Sequence, residues 1–423
     1  MWSITYNCSM VSFCLFEDDG YRGLMPFTFI RPAFALLLGG GTLFDKAADL
    51  FKYGNLSLHC RPLLKPYVKR LFPHHIINDI NLGSPCFFIN GRLALTPIIV
   101  DTFKSFYEDS DMMYTHRGQV VALFLRGPLL VKMKEILESS VPSADTLIST
   151  FKHDCITKEL DDVILLSNPW QLLGYHDELL RYDFERLGLG GVVKGDMAPY
   201  SVIYNESQVY IGDGCKVEDF ALIDARKGPV ILAEDVIVQS GSRLEGPLYI
   251  GAHTQILGAS IKSSAVGNHC KLGGEISHSI IHDYTNKAHY GFLGHSVVGQ
   301  WVNLGAGTTT SNLKNTYGTI KVTWDGQKID TGLQFLGAIL GDHVKASIGT
   351  LLSAGTRVGF ASTLLGSSIH DRDIPKFRWG YPSAYETYPL ESFFNVAGRV
   401  MKRRHLDMSP DEVELITYLY TNG

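Results

Sequence analysis

From about residue 187 onward, an aliphatic residue followed by glycine recurs: Ile211-Gly212, Ile250-Gly251, Val266-Gly267, Val298-Gly299, Leu304-Gly305, Leu340-Gly341 and Val358-Gly359. The phase is six. Ile211, Val217 and Ile223 are in step, as are Ile250 and Ile256, and Leu340, Ala346, Leu352, Val358 and Leu364 run unbroken. Neither an amphipathic helix nor a simple alternating strand carries that period. Six residues make one short flat strand and a corner, and three such units close a triangular coil. Each aliphatic side chain then points into the prism and stacks on its counterpart one coil later, at the ~4.8 Å spacing of paired strands. The following residue sits near a corner, where the absence of a Cβ relieves strain. The pattern predicts a left-handed parallel β-helix over residues 191–370.

The segment before it reads differently. Strand-like runs at Val11–Phe16, Pro85–Asn90, Gln119–Leu125 and Val163–Ser167 alternate with helix-like runs at Leu43–Lys52, Pro97–Tyr107 and Leu129–Glu138. Alternation of this kind predicts an α/β domain with a mostly parallel sheet over residues 10–190, residues 1–9 being an extension. Ligands of such sheets gather at the carboxyl ends of the strands. Residues 311–335 interrupt the hexapeptides with two strand-like runs about Asp325-Gly326, a hairpin turn. Residues 371–423 form a proline-marked linker and two helices. Leu390–Arg404 has an apolar face, and Ser409-Pro410-Asp411-Glu412 is a capping box with proline at the first helical position. These helices are expected to cap the open end of the prism.

Composition excludes several classes. A formal net charge of −5 leaves no basic excess to neutralise a nucleic-acid backbone. No run of 18 apolar residues is present to span a membrane. The seven cysteines are scattered and odd in number, with no CxxC pair, so buried thiols in a reducing cytoplasm are expected. The N-terminal apolar stretch lacks a preceding Lys or Arg and is a poor signal peptide.

The stretch 286–315, NKAHYGFLGHSVVGQWVNLGAGTTTSNLKN, carries the most specific pattern. His289, Leu293-Gly294, Asn303-Leu304-Gly305-Ala306-Gly307-Thr308 and Asn312 fall without a gap on a K-x-x-H-L-x-Y-L-G-D…N-x-G-A-G-T-x-x-x-N motif. In this the chain resembles the acetyltransferase half of the bifunctional N-acetylglucosamine-1-phosphate uridyltransferase/glucosamine-1-phosphate acetyltransferase family. The resemblance implies acetyl-CoA as co-substrate and a homotrimer working in clefts between prisms. It implies His289 as the general base for the sugar amine. Asn303 and Asn312 stand at sugar contacts, and Ala306 where a backbone amide meets coenzyme A. Lys271 stands in for an arginine that holds the sugar phosphate. Phe292 replaces a sugar-contacting tyrosine, and Ser277 falls where a phosphate-binding lysine is expected. The histidines 278, 282, 289 and 295 also admit a zinc site of the γ-carbonic-anhydrase kind. The basic run Lys402-Arg403-Arg404-His405 could meet a coenzyme A phosphate, although complementing a helix dipole is the preferred reading.

The N-terminal half resembles a divergent sugar nucleotidyltransferase domain, one that precedes a β-helix in an alternative bacterial form of the bifunctional enzyme. The resemblance rests on residues 24–32 (LMPFTFIRP), Gly39-Gly40-Gly41-Thr42-Leu43 with Lys46, Phe88-Ile89-Asn90-Gly91-Arg92, and Asn168-Pro169-Trp170. It implies uridylyl transfer from UTP with magnesium. Arg22, Arg31 and Arg92 are candidates for the triphosphate, the alternative being that they pair with Glu17, Asp18 or Asp19 and fix the fold. Asn90 occupies the strand end where the family places a magnesium-binding Asp; Asp18, Asp19 or Asp101 could substitute, or the domain binds without reacting. The Gly39–Gly41 run reads equally as a phosphate loop or a tight strand–helix turn.

Overall fold

The computed structural model describes residues 11–51, 55–104, 110–324 and 326–422. The expected extension, residues 1–9, lies outside these. So do the expected helix ends at Lys52 and Tyr107 and the turn residue Asp325. The chain forms two compact units. The first comprises the described residues of Met1–Leu36, Gly41–Asn168 and Ser409–Gly423, and the second Leu37–Gly40 with Pro169–Met408.

The first unit is built on a seven-stranded sheet. In chain order its strands are β1 (Ser12–Phe16), β2 (Asn55–His59), β3 (Ile76–Ile77), β4 (Cys86–Asn90), β5 (Met112–His116), β6 (Gln119–Leu125) and β7 (Ile156–Glu159). Their spatial order is β3-β2-β1-β4-β6-β5-β7. β1 pairs in parallel with β2 and β4, while β6 runs antiparallel to β4 and β5. Every residue of β1 and of β4 is buried, as expected of strands covered on both faces. Helices α1 (Leu43–Leu50), α2 (Lys65–Leu71), α3 (Pro97–Lys104), α4 (Gly127–Ser139) and α5 (Ala144–Phe151) fill the connections. The expected strand Val163–Ser167 is reduced to a single bridge between Leu93 and Leu165. The register Phe16↔Asn90 brings residues 17–18 and 91–92 to one edge of the sheet.

The second unit begins with α6 (Gln171–Leu187), which groups with the hexapeptide coils. Three parallel ladders follow, one per face of a prism. The first runs through Val209–Ile211, Val230–Leu232, Ile280–Ile281, Ile339–Leu340 and Arg357–Val358. The second contains Lys216–Val217, Gln255–Ile256, Lys271–Leu272, Asn286–Lys287, Asn303–Leu304 and Lys345–Ala346. The third contains Leu222–Asp224, Glu275–Ser277 and Phe292–Gly294. The inward aliphatics form one continuous core from Val209 to Ile374. The coil length is less regular than the expected eighteen. Leu340 stacks on Val358, eighteen residues on, whereas Val266 reaches Ile281 in fifteen. Lys321–Trp324 and Gln327–Asp330 form the expected antiparallel hairpin outside the coil.

The two C-terminal helices go to different places. α7 (Leu390–Lys402) lies along the flank of the prism, Phe393 packing on His343, Phe360 and Phe377. The helix Pro410–Thr421 opens with the expected Ser409/Glu412 capping box but belongs to the first unit, where Glu412 meets Arg70 of α2 at 2.8 Å.

Candidate functional site

Residues at successive coils of one ladder present their outward side chains in a row. On the second ladder that row is Lys271, Asn286, Asn303 and Lys345, held by the pairings Lys271↔Asn286↔Asn303↔Lys345. The Asn286 amide donates to Asn303 Oδ1 at 2.7 Å. The adjoining corner stacks aromatic rings. Tyr284 and Trp301 lie 4.1 Å apart and 3° from parallel, giving the row a flat side wall. α7 covers the row. Between them is a cavity of about 320 Å³, to which α7 contributes Val396 and Val400 and the turn after it Arg403 and Arg404. Lys345 reaches in from the far end, its Nζ donating to the Trp301 carbonyl at 2.5 Å. Burial pushes its amine down to about 7. Two arginines of the basic run, the exposed Arg403 and the half-buried Arg404, thus line this cavity.

Two of the expected sugar-phosphate contacts, Lys271 and Asn303, meet in this cavity. His289, Phe292, Ala306 and Asn312 are not among its lining residues. His289 stands exposed at the next corner, after the strand Asn286–Lys287. Beneath it is a residue that inspection of the sequence missed. Lys287 occupies an inward position on the second ladder, stacked on Leu272 in a column that is otherwise apolar. It is 2% exposed, and its ammonium donates to the carbonyls of Gly273 (3.0 Å) and His289 (2.9 Å). Burial pushes its pKa down to about 8. Six-residue phase did not point to it, because Lys287 lies fifteen residues after Leu272 and seventeen before Leu304.

Asn312 and Phe292 belong to the third face. The Asn312 amide donates to His295 Nδ1 at 2.8 Å, so that nitrogen accepts. Burial, then the neighbouring His278 and Lys262, hold His295 down at about 4 and keep it neutral. His278 stacks on His295 at 4.6 Å. Ser277 is 3% exposed. The Ala306 carbonyl accepts the Gly349 amide at 2.8 Å. His282 is buried, with Nδ1 2.9 Å from the Val298 carbonyl. Among the described residues no three His, Cys, Asp or Glu side chains converge as a metal site.

At the sheet edge of the first unit, Arg92 is 1% exposed and forks onto Asp18, with Nε to Oδ1 and Nη2 to Oδ2 both at 2.6 Å. Asn90 donates to the same Oδ2 at 2.8 Å. Arg92 also donates to the Leu166 carbonyl at 2.8 Å. The pairing alternative raised above is what the structure holds at Arg92. These groups do not fit a resident magnesium ion, because both oxygens of Asp18 are already bonded by cationic or amide N–H groups. Arg31 is 3% exposed, and its carbonyl accepts Arg61, which in turn meets Glu17 at 3.1 Å. Arg22 is exposed, over the Tyr21 ring. Asp101 is exposed on α3. In the glycine run, Gly40 N–H donates to Asp183 at 3.0 Å, and Thr42 with Asp45 caps α1. That is the turn reading. Six cysteines are free and buried, while Cys8 lies outside the described residues. No described helix is long and apolar enough to cross a membrane.

Residues 13–190 match the family model of the sugar nucleotidyl transferases. The chain is 32% identical over 160 residues to a bifunctional sugar-1-phosphate nucleotidylyltransferase/acetyltransferase of Sulfurisphaera tokodaii, a match covering 35% of this chain and 38% of that protein. It is 29% identical over 169 residues to the bifunctional protein GlmU of Synechococcus elongatus, covering 39% and 32% respectively. The chain thus spans about a third of the length of these curated relatives. A solved structure of LpxA, a UDP-N-acetylglucosamine acyltransferase from Bacteroides fragilis, is 14% identical over 52% of this chain and 95% of that one, with a TM-score of 0.26.

Proposed function

We propose that the protein is a cytoplasmic sugar-1-phosphate transferase of UDP-N-acetylglucosamine synthesis. The β-helix unit transfers acetyl from acetyl-CoA to glucosamine-1-phosphate, and the first unit transfers uridylyl from UTP to the product with release of pyrophosphate. The observation that carries the reading is the register of His289, Asn303, Ala306 and Asn312, with His289 presented to solvent at a corner of the coil. The match of residues 13–190 supports the second activity.

The proposed chemistry follows from the imidazole. An ammonium cannot attack a thioester, and an imidazole is a side chain able to take up a proton at neutral pH. His289 takes a proton from the sugar amine as nitrogen bonds to the acetyl carbon. The C–S bond then breaks, and the proton passes to the departing thiolate of coenzyme A. Lys287 holds the His289 carbonyl from below and so fixes the corner.

A second reading, an acetyltransferase whose first unit does not react, is favoured by the Arg92–Asp18 pair and by Asn90 at the strand end. One experiment addresses both. Purified protein is incubated with glucosamine-1-phosphate, acetyl-CoA, UTP and magnesium, and the products are identified by mass. N-acetylglucosamine-1-phosphate is expected, with loss of about 10²–10⁴-fold in coenzyme A release for His289→Ala. Unchanged release in that variant removes His289 from the mechanism. UDP-N-acetylglucosamine among the products decides against the second reading.

A further inference from the structure

The cavity under α7 is lined by four basic side chains, Lys271, Lys345, Arg403 and Arg404, and by no carboxylate. Among the described residues none of the four lies in an ion pair with an acid. Elsewhere on the same prism the arginines find carboxylates: Arg226 and Arg243 share Asp224, and Arg357 meets Asp373. Like charges gathered about one cleft repel one another and focus a positive potential on the space between them. Two amide side chains, Asn286 and Asn303, line the same wall and add neutral hydrogen-bonding groups. The volume, about 320 Å³, is that of a small-molecule site.

We propose that this cavity is a phosphate site, with Lys271 and Lys345 on its floor and Arg403 and Arg404 at its rim. The lysine lacking at Ser277 is then replaced from elsewhere: by Lys345, three rungs along the ladder from Lys271, and by the turn that follows α7. A guanidinium offers paired donors to phosphate oxygens, and an ammonium a point charge, so the set suits a phosphate ester or a diphosphate. A single phosphate ester carries about two negative charges. Three cations and the Lys345 amine match a ligand with more than one phosphate, or a phosphate ester with charge to spare. Both a sugar phosphate and coenzyme A supply such groups. The identity of the natural ligand rests on the acetyl-transfer reading; phosphate binding does not.

The test uses the full chain and isothermal titration at low ionic strength with inorganic pyrophosphate, glucosamine-1-phosphate and coenzyme A. Glucosamine and pantetheine serve as phosphate-free controls. At least one phosphorylated probe is expected to bind, and Arg403→Gln/Arg404→Gln to weaken it by about tenfold or more. Lys345→Met, which leaves the rim intact, is expected to weaken the same probe. Circular dichroism establishes that each variant is folded. Preference for glucosamine-1-phosphate or for coenzyme A identifies the source, and either outcome supports the site. The proposal is overturned if the parent binds none of the probes, or if the folded double variant binds them as the parent does. Loss of pyrophosphate binding in the double variant without any acetyl transfer by the parent would retain the site and reject the proposed reaction.

Discussion

At the scale of single residues, two of the buried basic side chains, Arg92 and Lys287, are managed in opposite ways. Arg92 is neutralised by the fork onto Asp18 and by further acceptors, so the pair remains charged inside the sheet unit. Lys287 has two carbonyl acceptors and no carboxylate, and burial lowers its pKa to about 8. The sign of the resulting pH dependence is fixed. In the unfolded chain the amine titrates near 10.5, so between about 8 and 10.5 the unfolded state holds a proton that the folded state lacks. Stability contributed by this lysine therefore rises with pH through that window. Below it, both states are charged and the full cost of burial is present. Lys287→Met is expected to remove this part of the slope, up to about 1.4 kcal/mol per pH unit. Chemical denaturation of parent and variant at pH 7, 8 and 9 measures the difference. Lys345, also lowered by burial, is present in both proteins and cancels. Parallel pH profiles would show that the Lys287 ammonium is not held against its hydration.

At the scale of the element, the corner that carries His289 depends on Gly291. Its φ is +125°, and an added Cβ would stand 2.2 Å from the Thr308 carbonyl oxygen of the next coil. Backbone cannot yield there without opening the stack. Gly291→Ala is expected to cost at least about 1 kcal/mol and to lower acetyl transfer further by displacing the corner. Thermal melts and initial rates below the melting range test this, and a variant with parental values of both would refute it. Corners of this kind were legible from the sequence, because aliphatic–glycine pairs at six-residue phase write the coil directly. The column holding Lys287 was not, since a lysine at an inward position erases the hydrophobic signal of that coil. The cavity was not legible either. Lys271 and Asn303 share a coil face by register, but Arg403 and Arg404 reach it only because α7 returns along the prism, and local pattern does not encode that return. In the first unit, Arg92 could be read from the sequence only as a basic residue at a strand end. Its capture by Asp18 follows from the parallel pairing of β1 with β4, which joins segments more than seventy residues apart.

At the scale of the whole molecule, the placement of His289 limits what one prism can do. The histidine is exposed at a corner, with the Lys271–Asn303 row on the face before it and Phe292 and Asn312 on the face after it. Two faces meeting at a corner are convex, and a convex edge cannot exclude water from an acyl transfer or hold a sugar on both sides. The proposed reaction therefore needs a second surface, and the flank of another copy supplies one if the prisms form the homotrimer that the sequence resemblance implies, with closed rotational symmetry. Nucleotidyl transfer has no such requirement, because a sheet edge of the first unit is formed within a single chain. Dilution should then separate the two activities. Specific acetyl transfer is expected to fall as the protein passes below the dissociation constant of the assembly, while any uridylyl transfer from preformed N-acetylglucosamine-1-phosphate holds constant. Light scattering gives the mass at micromolar concentration, and initial rates over a dilution series give the activities. A monomer at micromolar concentration with full acetyl transfer would mean that one prism completes the site unaided.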